Sequence, residues 1–381
     1  MTAIIHFVTH EFAPFRGGGS TYVQETSNAA ARLGYPVRVI APDYGLLVHH
    51  ADAAAPCPIE RVPGSGRLTP AGLWSLTRAL ARRREVLRES PIVLCSVGAQ
   101  IAMMLLMQFK GFRASRPMIT MFHGSEILRF QNHPLWRRLA ARNLPFTTPA
   151  CSSRYVEKFL RESALYPRET PIVLAPCACP SALVESARAT GDVPRRDDGK
   201  FRLLTLARLH PRKGQHLTAQ ALGMLPDHAK RRLRWEIYGE GTPAYRREIE
   251  RACMEAGIDF SIRGAVPVGE MTAVYAGCDA YIMTSVSLPN SVEGFGITYL
   301  EASIHGRPVI AFRTGGVAEA VQDQETGLIV PEGDLPGVAK AVLRLMDEPA
   351  LAAKLGQGGR EFAAGFSWDT AAKILCDRAL A

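Results

Sequence analysis

The chain has no apolar run long enough to cross a bilayer. Its longest, Ile101–Phe109 with Gln108 inside it, falls far short of the ~20 residues a spanning helix needs and reads as a buried helix. Cysteines at metal-ligand spacing are also missing. The eight cysteines, at positions 57, 95, 151, 177, 179, 253, 278 and 376, are scattered, and only Cys177-Ala178-Cys179 brings two close together. Such usage is expected of reduced structural thiols in a cytoplasmic protein. The start, Met1-Thr2-Ala3-Ile4-Ile5-His6-Phe7-Val8-Thr9, lacks a basic region followed by a long apolar stretch, so it resembles a first strand rather than a signal peptide. No Asp-x-Asp motif offers to hold a metal. The glycine run Gly17-Gly18-Gly19 is not G-x-G-x-x-G, which argues against a nicotinamide cofactor. Neither short-period repeats nor extended low-complexity tracts occur.

What is present is an α/β pattern. The length of 381 residues suits two domains of ordinary size, and 47% apolar with 21% charged residues are globular values. Apolar strand candidates alternate with helical stretches such as Tyr22–Leu33, which argues for parallel sheets covered on both faces. The first half offers Ile4–Thr9, Val37–Ile40, Ile92–Cys95, Met118–Phe122 and Ile172–Leu174. The second offers Leu203–Leu206, Trp235–Tyr238, Phe260–Arg263, Ala280–Met283, Val309–Phe312 and Leu328–Val330. The polar stretch 187–200, broken by Gly and Pro, separates an expected first domain, 1–186, from a second, 201–365. A last helical pattern covers Trp368–Leu380.

Two strand-to-helix junctions in the second half carry chemistry. After the run Ala280–Met283 comes Ser291-Val292-Glu293-Gly294-Phe295-Gly296-Ile297-Thr298-Tyr299-Leu300-Glu301, which sets Glu293 and Glu301 around a Gly-Phe-Gly turn. A helix starting near Ile297 would leave its first amides, among them those of Ile297 and Thr298, unpaired and partially positive, a site suited to phosphate. The two glutamates would then accept hydrogen bonds from hydroxyls flanking that phosphate, which describes a nucleotide sugar. The competing reading makes Glu301 a complement to the helix dipole and Glu293 a solvated loop residue. The second junction follows Leu203–Leu206 and reads Leu206-Ala207-Arg208-Leu209-His210-Pro211-Arg212-Lys213-Gly214. Strand carboxyl ends are where open α/β sheets bind ligands, so Arg208 and Lys213 could clamp a diphosphate there. A solvated basic turn is the plain alternative.

With these residues in place, the chain resembles the retaining glycosyltransferases of family four, nearly over its whole length. That resemblance implies the GT-B fold, two Rossmann-like domains with parallel sheets facing across a cleft, with the C-terminal helix (366–381) packing back on the first domain. In that family an Arg-x4-Lys pair binds the donor diphosphate, and an E-x7-E motif holds the donor sugar and the ribose; the matching positions are Arg208, Lys213, Glu293 and Glu301. Further matches fall in family order. These are Gly17-Gly18-Gly19, His123-Gly124-Ser125-Glu126, Tyr238-Gly239-Glu240-Gly241, Gly315-Gly316 with Glu319, and Thr326-Gly327-Leu328-Ile329-Val330. By resemblance His123 contacts the donor sugar near the reacting centre, and Gly17, Gly18 and Gly19 let backbone amides approach the phosphate. Phe295, Gly296, Ile297 and Thr298 complete the donor site. The loop is similar to that of some GDP-mannose-dependent mannosyltransferases, although UDP-sugar users differ from it only slightly.

Charge is uneven. Residues 1–200 carry 25 Lys and Arg against 15 Asp and Glu, a net of +10, while residues 201–381 net −1. Arg78-Ala79-Leu80-Ala81-Arg82-Arg83-Arg84 and Trp136-Arg137-Arg138-Leu139-Ala140-Ala141-Arg142 interleave arginine with apolar or aromatic residues. Such segments suit an anionic membrane surface or a phosphate-bearing acceptor, and equally a solvated helix face. No nucleic-acid motif or stacking platform accompanies the charge, so nucleic acid is not an expected partner.

These readings lead to one expectation. A hexosyl group passes from a UDP-sugar or GDP-mannose to a sugar, lipid-linked or small-molecule acceptor, with retention and without a metal, in the cytoplasm and at the inner face of the membrane, in cell-envelope glycan or glycolipid synthesis. Two rivals remain, a GT-B epimerase or synthase and a non-catalytic sugar-nucleotide binding protein.

Overall fold

The computed structural model describes residues 3–381 except 16, 46–47, 49–51, 54, 65, 67 and 191–197. It divides into two compact units, Met1–Cys177 with Ser367–Ala381, and Ala178–Phe366.

The first unit holds β1 (Ile5–Val8), β2 (Val37–Asp43), β3 (Ile59–Pro63), β4 (Ile92–Leu94), β5 (Met118–Phe122), β6 (Thr148–Cys151) and β7 (Val173–Leu174). They form one sheet in the order β3-β2-β1-β4-β5-β6-β7, parallel at every pairing. Its central strands are apolar and fully buried, IHFV in β1 and MITMF in β5, as expected where helices cover both faces. The helix Val97–Lys110 buries Ile101, Met103, Met104 and Leu106, in accord with the buried helix expected there. The helix Gly18–Arg32 packs against the C-terminal helix Trp368–Leu380, with Tyr22 edge-on to Trp368 at 5.4 Å.

Two strands of this sheet went unread in the sequence. β3 is the edge strand, IERVP, only half-buried and rich in charge. β6 contains Pro149, a residue that argues against a strand because it has no N–H for the ladder; β7 pairs only with Ala150 and Cys151.

The second unit holds β8 (Phe201–Leu206), β9 (Leu233–Tyr238), β10 (Asp259–Arg263), β11 (Ala280–Met283), β12 (Val309–Arg313) and β13 (Gly327–Pro331), in the order β10-β9-β8-β11-β12-β13. All six match strand candidates to within a few residues. Trp235 and Ile237 of β9, Ile282 of β11 and Phe312 of β12 lie at its core.

The boundary differs from the expected one. The helix Ser181–Thr190 packs on Met271–Ala276 and Ile297–Ile304, so residues 178–190 belong with the second unit, and the first ends at Cys177 rather than at 186. Of the expected linker 187–200, residues 191–197 lie outside the described residues.

In both sheets the strand order reverses once, between β1 and β4 and between β8 and β11. Such switch points open a crevice beyond the strand carboxyl ends, the usual ligand position in open α/β sheets.

Candidate functional site

The loops that leave β8 and β11 meet at the second switch point. On one side, the chain after β8 is clamped to the loop after β9. Ala207 N donates to Tyr238 O at 3.0 Å and Leu209 N to Glu240 O at 2.8 Å. The Tyr238-Gly239-Glu240-Gly241 run permits this approach, since a Cβ on Gly239 would lie 1.9 Å from Ala207 O. On the other side, Val286 N donates to Arg212 O at 2.8 Å, and Thr284 Oγ1 donates to Gly214 O at 2.8 Å. Gly214 has φ +69°, and a Cβ there would meet Thr284 O at 1.9 Å. Only glycine fits that turn.

This closeness sets the side chains. Three groups converge on Glu293 Oε2: Lys213 Nζ donates at 2.6 Å, Arg212 Nη1 at 2.7 Å and Ser285 Oγ at 3.1 Å. Glu293 is 6% exposed and Arg212 8%. Pro211–Lys213 forms a single 3-10 turn capped by His210, whose Nδ1 accepts from Arg212 N at 3.2 Å. The backbone beneath the carboxylate is held by Gly315-Gly316. Gly316 N donates to Glu293 O at 2.8 Å, and a Cβ on Gly315 would lie 2.0 Å from that same oxygen. Glu319 lies in the first turn of the short helix Val317–Ala320 that follows.

Burial opposes ionisation of Glu293, but the charges of Lys213 and Arg212 outweigh it and hold the carboxyl at about 2. Burial also drives the Lys213 ammonium down, to about 8; Glu293 resists this while Arg212 and Arg208 reinforce it. Two cations therefore share one carboxylate in a buried position.

Glu301 lies on the helix Ile297–Ile304, 6% exposed. Its Oε2 accepts from Tyr275 Oη at 2.6 Å, and Tyr275 stacks on His305 with centroids 5.1 Å apart. Burial raises its carboxyl to about 7, against the pull of Tyr275 and Lys213. Near neutrality it is divided between its acid and its carboxylate.

Of the other expected site residues, Arg208 is exposed at the end of β8. Gly296, at φ +92°, is the N-cap of Ile297–Ile304, so Ile297 and Thr298 do open a helix. Phe295 is 4% exposed and its ring packs edge-on to Phe366 at 5.8 Å, so its side chain serves the core of the second unit.

The remaining four belong to the first unit. His123 follows β5; its backbone N–H donates to Glu126 Oε2 at 3.0 Å and its ring stands edge-on to Tyr22 at 4.7 Å. Burial lowers its pKa, against Glu126 and a backbone hydrogen bond with Cys95, so the imidazole is neutral at physiological pH. The helix expected near Tyr22 begins earlier, at Gly18, with Gly17 as its cap; Gly18 and Gly19 are helical. The low helix propensity of glycine hid this start.

Arg212, Ser285 and Tyr275 were not singled out in the sequence. Only Arg212 left a signal there, its place beside Lys213 in a short turn.

The family "Glycosyl transferases group 1" matches residues 189–362, and "Glycosyltransferase Family 4" matches residues 16–178. The GDP-mannose-dependent alpha-(1-6)-phosphatidylinositol monomannoside mannosyltransferase of Mycolicibacterium smegmatis is 28% identical over 95% of this chain and 94% of its own. The D-inositol 3-phosphate glycosyltransferase of Saccharomonospora viridis is 37% identical over 34% of this chain and 30% of its own. Among solved structures, the sucrose-phosphate synthase of Thermosynechococcus elongatus superposes with a TM-score of 0.76 at 22% identity, covering 97% of this chain and 96% of that one. Anabaena HepE in complex with UDP-glucose superposes with a TM-score of 0.74 at 18% identity over 98% of both chains.

Proposed function

The chain belongs to glycosyltransferase family four and has the GT-B fold, and on that premise we propose that it moves a hexosyl group from a UDP-sugar or GDP-mannose to an acceptor hydroxyl with retention at the anomeric carbon. The observation that carries this reading is the buried cluster of Arg212, Lys213 and Glu293 at the second switch point. It holds one positive charge more than it neutralises, and buried charge is costly until paired. A diphosphate supplies the missing anion. Lys213 from within and Arg208 from the exposed end of β8 meet its charge, with the amides of Ile297 and Thr298 at the helix start. These fixed cationic groups stabilise the departing diphosphate, the role a metal would otherwise take, so no metal is required.

Glu293, held ionised, accepts from hydroxyls of the donor sugar and fixes its pose; it does not attack. The leaving phosphate takes the acceptor proton. Glu301, tethered by Tyr275, meets the ribose. In the first unit, Gly17 caps the helix Gly18–Arg32 and a neutral His123 ring can hydrogen-bond a hydroxyl. The mycolicibacterial relative is GDP-mannose-dependent and acts on a phosphatidylinositol monomannoside, which supports GDP-mannose as the donor and a glycolipid acceptor in cell-envelope synthesis.

A lipid acceptor would bring the enzyme to a membrane. No helix among the described residues is long and apolar enough to cross one, so contact would be peripheral. The amino-terminal edge of the first sheet suits it. Val86, Phe109 and Phe146, at the ends of segments leading into β4, β5 and β6, are 60%, 74% and 62% exposed. Arg113 lies over Phe146 at 5.2 Å, and Arg84, Arg88, Arg116 and Arg142 are exposed nearby in the chain. Exposed apolar groups among arginines fit an anionic lipid surface.

The test combines thermal shift with turnover. UDP-sugars and GDP-sugars are screened for the one that raises the melting temperature. With that donor, the Arg208→Ala/Lys213→Ala double variant is expected to lose donor affinity and transfer together. Unchanged affinity and turnover in the double variant overturns the reading.

A further inference from the structure

Glu293 has two cationic partners on one oxygen, and a diphosphate can recruit only what is free to leave. We propose that Arg212 is the permanent counter-ion of Glu293, a positioning residue that keeps the carboxylate ionised when the sugar donor draws Lys213 away. This rests on the functional reading above, and it separates the two cations by what each can do.

Arg212 is pinned. Its carbonyl accepts from Val286 N at 2.8 Å and its amide donates to His210 Nδ1 at 3.2 Å, so its backbone is tied on both sides of the residue. The side chain is 9% exposed. A guanidinium does not give up its proton in a protein, and Arg212 meets the carboxylate through Nη1 at 2.7 Å. Lys213 differs on each count. It is followed by the Gly214 turn, carries its charge on a flexible four-carbon stem, and at 12% exposed is the more open of the two. An ammonium can turn from a carboxylate to a phosphate oxygen without moving the backbone.

The charge environment makes the division necessary. The groups around Glu293 are Arg212 and Lys213 from the chain after β8, Ser285 from the loop after β11, Tyr281 from β11 and Tyr299 from the helix Ile297–Ile304, while Arg208, His210 and Glu301 act on these partners. Next to it, the Gly315-Gly316 turn contributes only backbone. The tyrosines are pushed up by burial and stay neutral, and His210 is pushed down by burial and by its three cationic neighbours. Once Lys213 turns to the diphosphate, Arg212 is the remaining cation bonded to Glu293. Without it, a buried carboxylate beside a newly arrived phosphate would take up a proton and lose half of its capacity to accept from sugar hydroxyls.

Three variants of the full chain test this: Arg212→Gln, Arg212→Lys and Lys213→Met. Calorimetry reads binding of UDP or GDP without a sugar, and the pH profile of kcat, which reports the donor-bound enzyme, reads the ionisation of Glu293 once Lys213 has turned away. Arg212→Gln is expected to keep nucleoside diphosphate affinity within about threefold, while its acid limb moves up by at least about one pH unit, as removal of a paired charge dictates. Arg212→Lys should return that limb toward its original position. Lys213→Met should show the opposite pattern, losing roughly tenfold or more in nucleoside diphosphate affinity, as for a lost hydrogen bond to a charged group. Arg212→Gln losing diphosphate affinity as heavily as Lys213→Met, or leaving the acid limb in place, overturns the proposal and makes Arg212 a phosphate ligand or a packing residue. If Arg212→Gln melts too low to assay, the limb of Arg212→Lys against that of Lys213→Met decides. Full affinity and transfer in Lys213→Met would instead sink the functional reading itself.

Discussion

Two groups of cations, one in each unit, are used in opposite ways. In the first, arginines such as Arg137, Arg138 and Arg142 project from the helix Pro134–Asn143 into solvent, and large apolar side chains, Trp74 at 68% and Phe109 at 74%, are exposed with them. In the second, Arg212 and Lys213 are drawn inside against one carboxylate, while the loops that carry them are locked by backbone contacts that only glycine allows. The lesson is about leverage. An exposed cation is screened, contributes little singly and works by summed attraction, so its exact placement matters less. A buried one must be matched, so its geometry is specified from several sides and its loss is felt in full.

The largest expected effect tests how firmly that geometry is specified. Gly214→Ala adds a Cβ that would lie 1.9 Å from Thr284 O, at φ +69°. Overpacking and the left-handed conformation together should cost roughly 2–5 kcal/mol of unfolding free energy and displace Lys213 from Glu293. Gly257→Ala is the control. It has φ +65° in the same unit but nothing within 4 Å of the added Cβ, so only the backbone cost of about 1 kcal/mol applies. Denaturant unfolding of both variants makes the comparison, and equal losses would mean the loops are not locked as described.

This same contact explains what the sequence could and could not disclose. β11 and β5 were readable because a buried parallel strand is a continuous apolar run, whereas half-buried β3 and Pro-bearing β6 carry no such run. Glu293 and Lys213 were readable as residues at strand-to-helix junctions. That they touch was not, because it depends on two loops approaching across 80 residues of sequence through Gly214 and Thr284. Arg212 was passed over for the same reason. Neighbouring residues on a 3-10 turn point in different directions, and only the fold decides that both of these point inward. The state of Glu301 was equally hidden, since burial under Tyr275 is a tertiary fact.

Glu301 provides the next test, through pH. Its carboxyl rises from 4.5 to about 7 on folding, so the folded chain binds its proton more tightly than the unfolded chain. Stability from this group is therefore present below the unfolded value and is lost as pH climbs toward 7, with roughly 3 kcal/mol gone by pH 8. Glu301→Gln cannot ionise and keeps an acceptor for Tyr275. It should be more stable than the unaltered chain by about that amount at pH 8, and by under about 1 kcal/mol at pH 5. Tyr275→Phe should act in the other sense, because losing the hydrogen bond raises the Glu301 carboxyl further and weakens the protein at high pH. Parallel stability curves for Glu301→Gln and the unaltered chain across this range would show that Glu301 is not held in its acid form.

The smallest effect is expected where the first unit spreads its charge. Arg113 donates to the carbonyls of Met107 and Phe112 at the end of the helix Val97–Lys110 and covers the exposed Phe146. Arg113→Ala removes one cation from a surface that has several. On vesicles rich in anionic lipid it should weaken binding by about 1 kcal/mol, near fivefold, with the difference fading at high salt and absent on zwitterionic vesicles. Replacing Phe109 and Phe146 by serine should weaken binding on the same vesicles in a manner indifferent to salt, since apolar insertion is not screened. Should neither variant change vesicle binding, the exposed edge of the first sheet is a solvated surface, and the contrast between the two units is one of burial alone.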